Sequence, residues 1–128
     1  MSNLLRRVLV VEDDPDSQAV LAHILAHWNI IIDTVSDAAN AQAMLAANSY
    51  QAVVIDLKLP DKDGWTLLRV IRESPFTADL FCVAITAYDR SYLDEDALNA
   101  GFDAYFAKPV DLAGLGRVLE ARLAPQGD

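Results

Sequence analysis

The chain has 128 residues, 53% of them hydrophobic and 23% charged, with nineteen acidic side chains against ten basic ones and a formal net charge of −9. That length holds one domain with a single core. The acidic excess repels phosphate backbones and anionic lipid surfaces, which argues against direct nucleic-acid or membrane binding. The longest apolar runs, such as Leu80 to Ala87, fall far short of the ~20 residues of a membrane span, and the N-terminus lacks a signal-peptide layout. The cytoplasm is the expected compartment.

Val8-Leu9-Val10-Val11 is a β-branched run that stops at Glu12-Asp13-Asp14-Pro15, a buried strand handing over to a helix with Asp14 at its N-cap and Pro15 in its first turn. Val20, Leu21, Ile24, Leu25 and Trp28 recur at helical spacing and give that helix one apolar face. His23 and His27 lie four apart on it, but no third ligand is near, so they read as an exposed helix edge. Ile30 to Val35 is the second strand. Ser36 or Asp37 then caps an alanine-rich helix running to about Ala47.

Ala52 to Asp56 is the third strand, and it carries a carboxylate at its end. Trp65 to Arg72 is the next helix, stopped by Ser74-Pro75. Phe81 to Ile85 is the fourth strand, closing on Thr86-Ala87; Cys82 inside it reads as core packing. Tyr92 to Ala100 is expected as the fourth helix, with Gly101 as its C-terminal cap. Ala104 to Ala107 is a short fifth strand ending at Lys108-Pro109. Leu112, Leu115, Leu119 and Leu123 mark the core side of a fifth helix, whose Gly114 and Gly116, costing about 1 kcal/mol each relative to alanine, predict a frayed first turn.

Apolar strands alternating with helices predict a parallel sheet covered on both faces. Right-handed crossovers then require a doubly wound α/β fold. In such a fold all strands end on one edge, where ligands bind. That edge collects Glu12, Asp13 and Asp14 from the first strand, Asp56 from the third, Thr86 from the fourth and Lys108 from the fifth. Clustered carboxylates repel one another unless a cation joins them, and Mg²⁺, which takes one or two carboxylates plus phosphate oxygens, is the expected remedy. Asp56 reads as a carboxylate nucleophile for a phosphoryl group, Lys108 as a point cation for phosphate oxygens and Thr86 as a hydroxyl donor to one of them. The isomer of the Lys108-Pro109 bond stays open.

These residues resemble the receiver domain of two-component response regulators. The similarity runs from Val8 to Leu123, through Val10-Val11-Glu12-Asp13-Asp14-Pro15, Ile55-Asp56-Leu57-Lys58-Leu59-Pro60-Asp61-Lys62-Asp63-Gly64, Ile85-Thr86-Ala87 and Lys108-Pro109. The resemblance implies a flavodoxin-like five-stranded sheet in the order 2-1-3-4-5 and one receiver domain over residues 1–128, with its core at about 7–124. It implies that Asp56 accepts a phosphoryl group from a histidine kinase or phosphotransfer protein, with Mg²⁺ as cofactor. Asp13 and Asp56 would ligate the ion directly, Lys58 through its backbone carbonyl and Glu12 through water, with Asp14 as a further acidic candidate. Lys108 and Thr86 would stabilise the phosphoryl group. Thr86 and Tyr105 would form a switch that alters the face of the fourth helix, fifth strand and fifth helix, where a downstream protein or a phosphorylation-dependent second copy docks. Lys58 and Tyr88 occupy positions that tune how fast the phosphoryl group is hydrolysed. The domain would be no enzyme beyond its own phosphorylation and dephosphorylation.

Three other readings use parts of the same pattern. A Mg²⁺-dependent aspartyl-phosphate phosphohydrolase would carry a second aspartate where this chain has Lys58, and a cap insertion the length does not hold. A flavodoxin-type carrier would need a Ser/Thr/Gly-rich loop where Glu12-Asp13-Asp14 stands. A receiver-like domain signalling without phosphorylation would not need the full set of Asp56, Thr86 and Lys108. The Met1 start and the short tail after the fifth helix fit a single-domain regulator or a piece of a longer one.

Overall fold

A computed structural model describes residues 6–86 and 99–123. Five parallel strands, β1 (Arg7–Val11), β2 (Ile31–Val35), β3 (Ala52–Asp56), β4 (Phe81–Thr86) and β5 (Ala104–Ala107), form one sheet in the order β2-β1-β3-β4-β5. The helices are α1 (Pro15–Ala26), α2 (Ala38–Ala47), α3 (Gly64–Glu73) and a C-terminal helix (Leu112–Leu123). The expected doubly wound order is therefore observed. The helix expected over Tyr92 to Ala100 lies outside the described residues except for Asn99 and Ala100, which are helical, and Tyr88 lies outside them as well.

Alternation along each inner strand divides the core in two, because successive side chains point to opposite faces of a sheet. Leu9, Val11, Val53, Ile55, Cys82 and Ala84 pack with Ala38 and Ala41 of α2 and Leu67, Leu68 and Ile71 of α3. Val8, Val10, Ala52, Val54, Val83 and Ile85 pack with Leu21 and Leu25 of α1 and Leu115, Leu119 and Leu123 of the C-terminal helix. Removing a side chain such as Leu9 or Leu119 from water contributes about 2 kcal/mol. Cys82 is part of this interior, and burial pushes its thiol up to about 12, as the packing reading requires.

The helix starts follow local chemistry. Asp14 caps α1, its carboxylate accepting from Ser17 N at 3.2 Å and Ser17 Oγ at 2.9 Å. Asp37, not Ser36, caps α2, accepting from Asn40 N at 2.8 Å, and Asp63 caps α3, accepting from Thr66 N at 2.8 Å. Each satisfies a backbone N–H that the first turn leaves without a partner.

Three details depart from expectation. Val20 is 48% exposed, so the buried stripe of α1 is carried by Leu21 and Leu25. β2 is an edge strand, and its Ile31 is 46% exposed although its composition matches the inner strands. The C-terminal helix begins at Leu112 and runs through both glycines: Asp111 Oδ1 accepts from Gly114 N at 3.0 Å, and Gly116 is buried against the Trp28 indole. A Cβ at Gly116 would stand 2.3 Å from Trp28 Nε1, so this glycine is a packing notch rather than a weak point.

Candidate functional site

Three strand ends and one strand exit build the site. β1 runs directly into Glu12 and Asp13, β3 ends on Asp56, β4 ends on Thr86, and Lys108 follows β5 by one residue. The parallel register aligns these ends: Val11 pairs with Ile55, Asp56 with Ile85, and Thr86 with Ala107. Beyond the last ladder pair, Lys108 N donates to Thr86 O at 2.7 Å, which carries the lysine past the buried threonine toward the carboxylates. The Lys108–Pro109 peptide is cis.

Lys108 Nζ lies 2.7 Å from Glu12 Oε1 and 2.9 Å from Asp56 Oδ2. Glu12 is fully buried and Asp56 nearly so, at 4% exposure, whereas Asp13 faces solvent. One carboxylate oxygen from each of Glu12, Asp13 and Asp56 lies within 4.8 Å of the others. Burial raises the Glu12 carboxyl to about 7; the Lys108 ammonium pulls it down, and the neighbouring Asp56 carboxylate adds to the rise. Burial works against the charge on Lys108, but its bonds to Glu12 and Asp56 and their negative charge outweigh that and leave it above the usual lysine value.

The loop after β3 approaches the same point through backbone. Lys58 N donates to Asp56 Oδ1 at 2.9 Å, while the Lys58 side chain is exposed. Gly64 N donates to Leu57 O at 2.8 Å, and a Cβ on Gly64 would sit 2.8 Å from both Asp56 O and Leu57 Cα. Only a residue without a side chain lets α3 start this close to the strand end.

The sequence candidates therefore separate. Glu12, Asp13, Asp56 and Lys108 come together, and Thr86 ends the neighbouring strand. Asp14 does not join them: its carboxylate is committed to the first turn of α1. Tyr105 is partly buried and packs against the core on the α2/α3 side of the sheet. His23 and His27 stack edge to face, ring centres 5.2 Å apart, and belong to no ligand group among the described residues. Sequence reading passed over Asp61, whose Oδ1 accepts from Ala38 N at 2.9 Å and whose Oδ2 accepts from Ala39 N at 3.0 Å. No local signal marks that contact, because Asp61 caps a helix that precedes it in the chain.

The residues suit a hard divalent cation. Three carboxylates face one ammonium, so two negative charges remain uncompensated when all are ionised. Glu12 Oε1 is buried and, beyond the lysine's charge, has no directed hydrogen bond. An all-oxygen donor set with one solvent-facing member is what Mg²⁺ accepts, since it keeps several waters.

The profile of the response regulator receiver domain matches residues 8–120. The chain belongs to the response regulator receiver domain family. This receiver domain is 34% identical, over 88% of its length and 86% of the other's, to a 14.6 kDa protein from the sodA1 3′ region of Leptolyngbya boryana. It is 36% identical to the transcriptional regulatory protein TcrA of Mycobacterium tuberculosis, covering 90% of this chain but 45% of that protein. It is 33% identical to the hybrid signal transduction histidine kinase L of Dictyostelium discoideum, of which it spans 7%. Receiver domains thus occur as parts of larger regulators and kinases of two-component systems. Among solved structures, the receiver domain of a Pseudomonas aeruginosa sensor histidine kinase, which carries a magnesium ion in its active-site cleft, superposes with a TM-score of 0.84 at 30% identity, covering 95% of this chain and all of that one. The family signals rather than turns over a substrate. No helix among the described residues is long and apolar enough to cross a membrane.

Proposed function

We propose that this receiver domain takes a phosphoryl group on Asp56 from a phosphohistidine of a histidine kinase or phosphotransfer protein, with Mg²⁺ as its metal ion. The observation that carries this reading is a single ammonium, Lys108 Nζ, held within 3 Å of Asp56 and Glu12 at the end of buried strands. An Asp56 carboxylate oxygen attacks phosphorus, the N–P bond breaks, and the electron pair stays on the imidazole nitrogen. Lys108 is placed to follow the charge from the carboxylate to the phosphoryl oxygens. Thr86, buried at the end of β4, is assigned to one of those oxygens. Asp13, Asp56 and the Lys58 carbonyl are the proposed ligands, with Glu12 acting through water. Bound there, the metal supplies charge neutralisation and alignment, the main demands of phosphoryl transfer.

In this reading the chain forms one cytoplasmic receiver domain with its core at about 7–124, catalysing only its own phosphorylation and dephosphorylation. Thr86 and Tyr105 bias two packings of the face around β5 and the C-terminal helix, which then selects a downstream protein or a second copy rather than nucleic acid. Tyr105 is suited to this by its partial burial on β5, one strand away from Thr86.

Incubation with acetyl phosphate and Mg²⁺, followed by intact-mass measurement, tests the proposal. One phosphoryl mass is expected on the wild type, none with EDTA, and none on Asp56→Ala. A wild type that gains no mass and binds no beryllium fluoride would overturn the reading and leave a domain that signals without phosphorylation.

A further inference from the structure

The loop from Leu57 to Asp63 brings backbone, not side chain, to the site. Its two ends are closed by neighbours: Lys58 N bonds to Asp56 Oδ1, Gly64 N bonds to Leu57 O, and Lys58 forms an antiparallel bridge with Asp63. Its apex, Pro60-Asp61-Lys62, is exposed. Leu59 packs against the core just before the apex, but the exposed apex itself has little packing to hold it. Here one side chain ties it down. Asp61 spends both carboxylate oxygens on α2, accepting from Ala38 N at 2.9 Å and Ala39 N at 3.0 Å.

That bond pair satisfies the first two N–H groups of α2, a helix that already has an N-cap of its own. Asp37 stands at that N-cap and accepts from Asn40 N at 2.8 Å. The same contact also anchors the loop: α2, held in the core by Ala38 and Ala41, is the packed body to which Asp61 ties it. A backbone carbonyl cannot be aimed by its own side chain; the path of its loop aims it. Only Leu59 and Pro60 separate Asp61 from Lys58, so an anchored apex restricts the peptide planes between them.

We infer that Asp61 is a positioning residue, which holds the loop so that the Lys58 carbonyl and amide face the metal and phosphoryl site. The inference rests on the proposed Mg²⁺ and phospho-acceptor reading. It predicts that Asp61→Ala weakens Mg²⁺ binding about tenfold, the low end of what groups supporting a metal ligand usually cost. Asp61→Asn, which can still offer one oxygen to α2, should recover part of it. Asp37→Ala is the control, because it removes a cap of the same helix without touching the loop.

The experiment titrates Mg²⁺ into wild type and the three variants, following the fluorescence of Trp65 in the first turn of α3, and measures amide hydrogen exchange of residues 57–63 in metal-free protein. The expected result is weaker Mg²⁺ binding and faster loop exchange in Asp61→Ala, and neither in Asp37→Ala, although both lower the melting temperature. Equal Mg²⁺ affinity in wild type and Asp61→Ala would overturn the inference. Equal weakening in Asp61→Ala and Asp37→Ala would also overturn it, by reducing Asp61 to a helix cap. A wild type that binds no Mg²⁺ and gains no phosphoryl mass fails at the first titration; that outcome removes the underlying function and this inference with it.

Discussion

The two edges of the sheet both carry ion pairs, and they are built on opposite plans. At the amino-terminal edge, among the described residues, Arg6, Arg7 and Arg72 each face a carboxylate of their own. Arg7 Nη2 donates to Asp33 Oδ2 at 2.6 Å, Tyr50 Oη donates to the same oxygen at 2.6 Å, and the Arg7 guanidinium lies over the Tyr50 ring. Arg72 donates to Gly101 O, Ala78 O, Leu80 O and Asp103 Oδ2, and Asp103 Oδ2 accepts from Cys82 N. Arg6 pairs with Glu120. At the carboxyl-terminal edge three carboxylates share one lysine. A closed network specifies structure, whereas an open one leaves a charge for a ligand to answer.

If the contrast holds, breaking each edge should damage a different property. The largest effect belongs to Lys108→Ala, which removes the ammonium that pairs with Glu12 and Asp56 at the open edge. Phosphoryl uptake from acetyl phosphate should fall by about 10²-fold or more, the usual loss for a preorganised charge donor, as read by the rate of mass gain. Arg72→Ala strikes the closed edge. It frees three backbone carbonyls and the Asp103 carboxylate at once, and urea unfolding should show a loss of about 3 kcal/mol while Mg²⁺ affinity stays at its wild-type value. Loss of Mg²⁺ affinity in that variant would mean that the two edges are not independent.

The smallest effect tests the sign of the closed edge's electrostatics. The Tyr50 hydroxyl first, then Arg7, holds the Asp33 carboxyl below its usual range, against the opposing push of burial. A depressed carboxyl stabilises the fold above its unfolded value of about 3.9 and loses that contribution as pH falls through the lower folded value. The stability advantage of wild type over Tyr50→Phe should therefore be full at neutral pH and shrink below about pH 4. Urea midpoints at pH 7 and pH 3 decide it; an advantage that grows in acid would reverse the assignment.

How much of this was legible depends on whether a residue speaks to its near neighbours. Strands β1, β3, β4 and β5 announce themselves by apolar runs, and Asp14-Pro15 marks the start of α1 because capping is a local event. The convergence of Glu12, Asp13, Asp56, Thr86 and Lys108 followed from parallel topology alone, since every strand end must share one edge. Periodicity names a buried face without naming what covers it, so it counted Val20 into the core and could not tell the edge strand β2 from an inner one. Asp61 and Arg72 were silent because their partners are backbone atoms far along the chain, and backbone atoms carry no residue identity for a pattern to register. Asp14 misled in a small way: proximity in sequence grouped it with Glu12 and Asp13, but its carboxylate was already spent on α1.

The Trp28–Gly116 contact joins the turn that follows α1 to the second turn of the C-terminal helix. The indole occupies the volume that any side chain at position 116 would need. The two positions thus behave as one coupled unit of sequence space: alanine at 116, normally the better helix former, is barred while tryptophan stands at 28 and becomes admissible once a smaller ring replaces it. Substitutions at these sites have to be drawn in pairs, and the order in which the pair is changed matters, since the route through the smaller ring opens a gap while the route through the added methyl group forces a clash.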